Sequence, residues 1–341
     1  MNQSRMAIEI AEQPEMLRRL SPAWEDSAQS CLEQLDEPLN LILIGRGSSG
    51  NACTFASYLY SLAKGRLPIE FRPWVATQTG IPRTSWNDCW AWAFSNSGES
   101  TDVAHSAQWL RERGAKVLGV TNAESPRCKL AESSDRLFRL GIGDERAIPA
   151  TKSFNAQLFA AAALCGCPLQ RAADEVSAAM EEILAGDQSK QLADFIAPAR
   201  SIWWIARGPA LGAALDAALK VQETAALLSM AYSTAESLHG PVGATSPKDR
   251  VVLFDDGPEN ATSLQAVRTG LLSRGAPVCR VVGGPQPRWG EEPSIEIPMP
   301  TERWARTPVL AFLAQLTALE LAERRGLNPD LPPGLHKVTL T

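Results

Sequence analysis

Short apolar runs closed by small polar residues alternate along this chain with stretches of helical periodicity. In "LNLILIGRGSSGNACTFASYLYSLA", residues Leu41 to Ile44 read as a buried strand, Gly45 to Gly50 as a tight loop, and Asn51 to Ala63 as a helix with small residues on one face. "PIEFRPW" is a second strand candidate and "CWAWAF" a third. The third is followed by the polar turn Ser95 to Asp102 and the helical pattern "VAHSAQWLRERGA". "AKVLGVTN", Ala115 to Asn122, is a further strand. Ahead of them, Glu9 to Leu20 reads as a helix interrupted near Pro14. Strands that alternate with helices predict a parallel, doubly wound sheet.

The pattern occurs twice. "IGRGSSGNA" from Ile44 corresponds to "IARGPALGA" from Ile205, and 205 − 44 is 161. "FSNSGES" from Phe94 corresponds to "FDDGPEN" from Phe254, an offset of 160, and "RGAKV" from Arg113 to "RGAPV" from Arg274, again 161. Three matches in one order at nearly one spacing indicate two copies of one α/β unit. A helical stretch, Thr151 to Leu184, lies between them. A Pro-rich tail, Asp330 to Thr341, has no repeat partner.

Composition narrows the function. The 341 residues are 45% hydrophobic, enough for two domains with proper cores. A net charge of -5 offers no basic surface for nucleic acid or anionic lipid. There is no 18-residue apolar run and no signal-peptide pattern, so neither a membrane span nor secretion is expected. The seven cysteines form no framework, which points to reduced thiols in a cytoplasm. Cys165-Gly166-Cys167 lacks the second pair that a zinc site needs, and no metal is expected. The ten tryptophans lie mostly in strand-like runs and read as core.

Chemistry is expected at the carboxyl ends of the strands, where ligands of open α/β sheets bind. Gly47-Ser48-Ser49-Gly50 opens one helix and Ser95 to Thr101 opens another. A helix N-terminus offers unpaired amides and a partial positive charge, and serine hydroxyls add donors, so two such loops together suit a phosphate. The competing reading is ordinary helix capping, for which Ser, Thr and Asp are also the best residues. Neither loop has the spacing of a dinucleotide or P-loop site. In the second copy the turn reads Phe254-Asp255-Asp256-Gly257, with carboxylates that would repel phosphate. One live phosphate site, in the first copy, is therefore expected.

Taken as a set, "GRGSSGNA", "SNSGESTD", "ATKSF" and "ESLHGP" resemble the sugar isomerase (SIS) domain family, above all the isomerase half of glucosamine-6-phosphate synthase and the SIS-type glucosamine-6-phosphate deaminases. The resemblance spans the chain. It implies an α/β fold of two tandem SIS domains, each a parallel sheet flanked by helices in a flavodoxin-like three-layer sandwich. The implied division is an N-terminal helical segment (1–36), a first SIS domain (37–190), a second (191–329) and a C-terminal active-site tail (330–341).

The resemblance also implies roles. The phosphate loops fall on Ser48, Ser49, Ser95, Asn96, Ser97 and Ser100, and Ala150 and Thr151 would lie beside the sugar. The family's helical K-x-x-E matches Lys220 and Glu223, its E-x-x-H-G-P matches Glu236, His239, Gly240 and Pro241, and its tail lysine matches Lys337. Aldose–ketose isomerisation needs ring opening and then a proton moved between C2 and C1, tasks suited to a histidine and a carboxylate. Glu223 is the expected base and His239 the ring-opening acid/base. Lys337 is expected either to contact the open-chain sugar or to form a Schiff base with a ketose. Glu223 and Lys220 could instead be a surface i, i+3 pair. His105 reads as structural, beside Gln108 and Trp109, and His336 adjoins the site lysine.

The chain enters the SIS pattern within about forty residues, so no glutaminase domain, and no ammonia from glutamine, is expected. The expected reaction is then glucosamine 6-phosphate plus water to fructose 6-phosphate and ammonia. The alternatives are a deglycase of a fructosamine 6-phosphate adduct and a non-catalytic sugar-phosphate sensor. The expected partner is a small phosphosugar, without a cofactor, nucleic acid or membrane. Family members are commonly homodimers with a shared active site, which would let His239 act across the interface.

Overall fold

The computed structural model describes residues 3–33, 40–82, 84–284 and 286–337. The expected boundary at residue 36 and the last four residues of the tail lie outside them. The chain forms two compact units. The first comprises Arg19–Glu145, Lys152–Gln170 and the tail from His336; the second comprises the chain up to Arg18, Arg146–Thr151 and Arg171–Leu335.

Two helices come first, α1 (Arg5–Ala11) and α2 (Gln13–Leu32). Ser4 caps α1 by accepting a hydrogen bond from the Ala7 amide. The break falls at Glu12, which lets Pro14 sit in the first turn of α2, where its missing N–H costs nothing.

The first unit then runs β1 (Asn40–Ile44), α3 (Ser48–Lys64), β2 (Ile69–Glu70), β3 (Cys89–Phe94), α4 (Thr101–Arg111), β4 (Lys116–Thr121), α5 (Lys129–Glu132), β5 (Arg136–Arg139) and α6 (Lys152–Leu164). Its strands form one parallel sheet in the order β2-β1-β3-β4-β5. Alternate residues serve opposite faces. Ile42, Ile44, Ala91, Ala93 and Val117 pack on Val103, Ala107 and Leu110 of α4. On the other face Trp92 meets Tyr60 of α3 edge to face, 5.8 Å between centroids. Helix α3 packs on α6, whose every residue is buried, the polar Lys152, Ser153, Asn155 and Gln157 of its first half included. The strand expected in "PIEFRPW" shrinks to Ile69–Glu70, because Pro73 starts a 3-10 turn, Pro73–Thr77, in place of further pairing.

The second unit adds α7 (Gln170–Ala185), α8 (Gln188–Ile196), β6 (Ile202–Ala206), α9 (Ala210–Ala225), β7 (Ser229–Ser233), α10 (Thr234–Leu238), β8 (Arg250–Asp255), α11 (Pro258–Ser273), β9 (Val278–Gly283), β10 (Ser294–Ile297) and α12 (Arg303–Arg324). Its sheet is also parallel, in the order β10-β9-β8-β6-β7. Read from the other edge, this is the first sheet's order, so the repeat in the sequence is a repeat of topology. Leu264, Val267 and Leu271 of α11 cover Val251, Leu253 and Val278. Trp204 packs against Phe254 with centroids 5.4 Å apart.

The helical stretch expected from Thr151 to Leu184 is two helices. Gly166, at φ +84°, closes α6, and α7 belongs to the other unit. Cys165 at this turn is buried, which pushes its thiol pKa up and keeps it protonated. Of the tryptophans, Trp90, Trp92, Trp203 and Trp204 are strand core as expected, whereas Trp24, Trp109 and Trp304 are buried on helices. Among the described residues no helix is long and apolar enough to cross a membrane.

Candidate functional site

In the first unit, β1 and β3 are paired neighbours, and each leads into a helix. Two helix N-termini therefore sit side by side at one end of the sheet. Helix α3 starts at Ser48, earlier than the loop expected over Gly45 to Gly50, so Ser48 and Ser49 occupy its first turn. Its N-cap is Gly47, at φ +53°, and the N-cap of α4 is Ser100. Neither cap is closed by a side-chain hydrogen bond. The capping role that competes for these serines is thus not the one they fill. Ser48 and Ser95 are buried; Ser49, Asn96, Ser97 and Ser100 are half-buried.

Backbone contacts hold both loops rigidly. A Cβ on Gly45 would lie 2.6 Å from the Ser49 carbonyl oxygen, so only glycine lets α3 start this close to the end of β1. The second loop is clamped by three backbone bonds: Gly98 N–H to Ser95 O (3.1 Å), Asn122 N–H to Asn96 O (3.0 Å) and Leu130 N–H to Gly98 O (2.9 Å). Gly45→Ala is expected to destabilise the protein by about 1–3 kcal/mol, since the obstruction is backbone and cannot rotate away. Urea unfolding of the variant checks this; an unchanged midpoint would contradict the packing argument.

Beside the second loop lies a residue that the sequence reading missed. The side chain of Glu145 is 1% exposed and gathers donors from three segments. Its Oε2 accepts from Lys337 Nζ (2.9 Å), Ser153 Oγ (2.7 Å) and Asn96 Nδ2 (3.0 Å), and its Oε1 from the Ser153 amide (2.9 Å). Burial pushes the Glu145 carboxyl pKa up, but the Lys337 ammonium and the Ser153 donors outweigh it and hold the group below the usual carboxylate range. The carboxylate therefore joins the phosphate-type loop, through Asn96, to the tail lysine. In the sequence Glu145 is flanked by Asp144 and Arg146 and looks like part of a solvated turn. No periodicity says which of the three points inward.

The second unit holds the other candidates. Lys220 and Glu223 lie on α9 and are ion-paired through Nζ and Oε2. The lysine side chain is 1% exposed and the glutamate 20%, so this is not the surface pair that the spacing alone permits. Glu236 lies on α10, where its amide donates to the N-cap Ser233 Oγ at 3.1 Å, and its side chain is exposed. His239 ends that helix on an exposed turn. Ala150 is half-buried and Thr151 buried, with the Thr151 carbonyl accepting from Gln315 Nε2 at 3.2 Å. His105 and His336 are both exposed.

The turn equivalent to Ser95-Asn96 is filled differently in the second unit. Asp255 and Asp256 are buried. Asp255 pairs with Arg280 at 2.6 Å, and Asp256 accepts from Asn260 Nδ2 at 2.5 Å. Burial pushes the Asp256 carboxyl up. A cavity of about 780 Å³ opens there, lined by Arg280, Arg288 and Arg306, of which Arg280 and Arg306 donate to protein oxygens. Copying this chemistry into the first unit is a test: Ser95→Asp is expected to weaken inorganic phosphate binding by about 30-fold or more, read by calorimetric titration, because a carboxylate would face the anion.

The SIS domain model matches residues 35–165 and again 195–323. The chain belongs to the SIS domain family. Its two SIS segments contain the two parallel sheets. Among curated relatives, a glutamine–fructose-6-phosphate aminotransferase (isomerizing) from Pyrobaculum aerophilum is 28% identical over 348 residues, covering 97% of this chain and 56% of that protein. The chain thus spans about half the length of such relatives. Two solved structures share the SIS fold. The C-terminal domain of glucosamine-fructose-6-phosphate aminotransferase from Francisella tularensis has a TM-score of 0.86 at 19% identity, over 97% of this chain and 98% of that one. Glucosamine-6-phosphate deaminase from Thermotoga maritima has a TM-score of 0.75 at 23% identity, over 99% and 100%.

Proposed function

We propose that this SIS protein is a phosphosugar aldose–ketose isomerase that deaminates glucosamine 6-phosphate, giving fructose 6-phosphate and ammonia. The observation that carries the reading is the pair of neighbouring helix N-termini, rich in serine and not closed by side-chain caps, with the buried Glu145 tying Lys337 to the loop between them. The phosphate is bound by the amides of α3 and α4 and by Ser48, Ser49, Ser95, Asn96, Ser97 and Ser100. Ala150, Thr151, Lys220 and Glu236 complete the sugar's surroundings.

In this reading His239 opens the ring by moving a proton between the ring oxygen and the C1 hydroxyl. Glu223 takes the proton from C2 of the open-chain aldehyde and delivers it to C1, while O1 gains the proton that the C2 amine gives up, so C1 becomes a hydroxymethyl group and C2 an imine. Water adds to that imine and ammonia leaves, which balances the reaction. Lys220, ion-paired with Glu223, holds the carboxylate in place for this role. Lys337, whose Nζ is tied to Glu145, serves as a hydrogen-bond donor to the sugar rather than as an imine-forming amine. The exposed position of His239 suits a homodimer in which it serves the partner's sugar.

A protein of this fold and extent in Thermotoga maritima carries the deaminase name. At 23% identity that likeness bears on the fold, so the reaction needs its own assay. Purified protein is offered glucosamine 6-phosphate, galactosamine 6-phosphate or a fructosyl-amino-acid 6-phosphate, and ammonia or amine release is followed with ketose phosphate. Ammonia and fructose 6-phosphate from glucosamine 6-phosphate are expected. Release only from the amino-acid adduct would replace this reading with a deglycase. Binding without any turnover would leave a sensor.

A further inference from the structure

One charged pair spans the two loops. Arg46 stands between Gly45 and Gly47, one residue before the N-cap of α3, and its Nε and Nη2 donate to Asp102 Oδ2 at 3.0 and 2.5 Å. Asp102 is the second residue of α4, the helix whose N-terminus faces the same end of the sheet. Its side chain is 13% exposed and that of Arg46 is 55% exposed.

As a stabilising device the pair contributes little, because an ion pair this exposed is worth at most about 1 kcal/mol. Asp102 alone already suits its helix, since a carboxylate in the first turn complements the dipole. For an anion at the same N-terminus, however, that carboxylate is a like charge within the first turn. It cancels part of the field that attracts the phosphate, unless a cation offsets it. Arg46 supplies such a cation, through two hydrogen bonds to this carboxylate. The second copy makes the contrast. Arg207 is the repeat equivalent of Arg46, since 207 − 46 is 161, and at an offset of 160 the equivalent of Asp102 is Thr262. There the arginine donates to Thr234 Oγ1 at 3.1 Å and not to the first-turn carboxylate of α11, Glu259.

We propose that Arg46 is a positioning residue that neutralises Asp102 and so sets the affinity of the two-helix site for the phosphate of the substrate. This rests on the phosphate reading given above. It makes Arg46 a determinant of substrate affinity and not of the proton transfers. Its effect should therefore fall on KM and on phosphate affinity, with kcat little changed.

The test is a four-membered cycle on the full chain, Arg46→Ala, Asp102→Asn, the double variant and Arg46→Lys, titrated with inorganic phosphate and assayed for KM and kcat. Arg46→Ala is expected to weaken phosphate about tenfold and raise KM by a similar factor, an effect that shrinks in high salt. Arg46→Lys keeps the charge and most of the affinity. The double variant returns to within about threefold of wild type, because removing the carboxylate removes the need for the cation. A double variant as weak as Arg46→Ala would overturn neutralisation and make Arg46 a direct phosphate ligand. Unchanged affinity in Arg46→Ala would also overturn the inference while leaving the phosphate site standing. Wild-type protein that binds no phosphate would sink the phosphate reading itself, and this inference with it.

Discussion

Glu223→Gln lowers turnover of glucosamine 6-phosphate by about 10³-fold, the range expected when a general base loses its proton-accepting oxygen. The amide keeps the shape of the side chain and a carbonyl that still accepts from Lys220, so the fold and phosphate affinity stay within a few-fold of wild type. Lys220 is the reason to choose glutamine over alanine. Its ammonium is 1% exposed and bonded to Glu223, and glutamine keeps an oxygen there for it to donate to. Steady-state kinetics together with a phosphate titration check the variant. Unchanged kcat would remove Glu223 as the base.

Glu145→Gln lowers kcat by about 10- to 100-fold with a smaller change in KM, because it breaks the ion pair between Lys337 and Glu145 without removing any phosphate ligand. Glutamine can still accept from the Ser153 amide and hydroxyl, so the loop survives and the tail does not. Limited trypsin digestion supplies an independent readout, with cleavage after Lys337 expected to accelerate in the variant. The pH dependence has a definite sign. A carboxyl whose folded pKa is depressed stabilises the fold at pH values above its unfolded pKa, and that stability is lost as pH falls through the folded value. The tether is therefore complete at neutral pH and persists below the ordinary glutamate range. Tail release beginning near pH 6 would contradict the Lys337–Glu145 pairing.

Much of the architecture was legible from the chain itself. Leu41–Ile44, "CWAWAF" and "AKVLGVTN" are continuous apolar runs bounded by polar turns, a pattern that only a strand buried on both faces satisfies, and all three are central strands. The offset of 161 residues carried the duplication, since repeated topology needs repeated strand and turn residues at repeated spacing. The serine loops were visible because helix starts have a local chemistry. Where the reading failed, the local signal was weak or misleading: prolines cut "PIEFRPW" to two paired residues, and α3 began three residues early because Gly47 could adopt a left-handed N-cap.

The sequence by itself determined the fold class and the two copies, because both are carried by apolar runs and turn residues close together in the chain. Tertiary structure decided the rest. Glu145 and Lys337 are 192 residues apart, and Arg46 and Asp102 are 56 apart. Whether a charge is a solvated surface group or a buried partner depends on which segments fold against it, and no periodicity encodes that. Equivalent turn positions, two aspartates in one copy and a serine and an asparagine in the other, meet different neighbours on the adjoining strand: Arg280 on β9, which pairs with Asp255, and Gly119 at the equivalent place on β4.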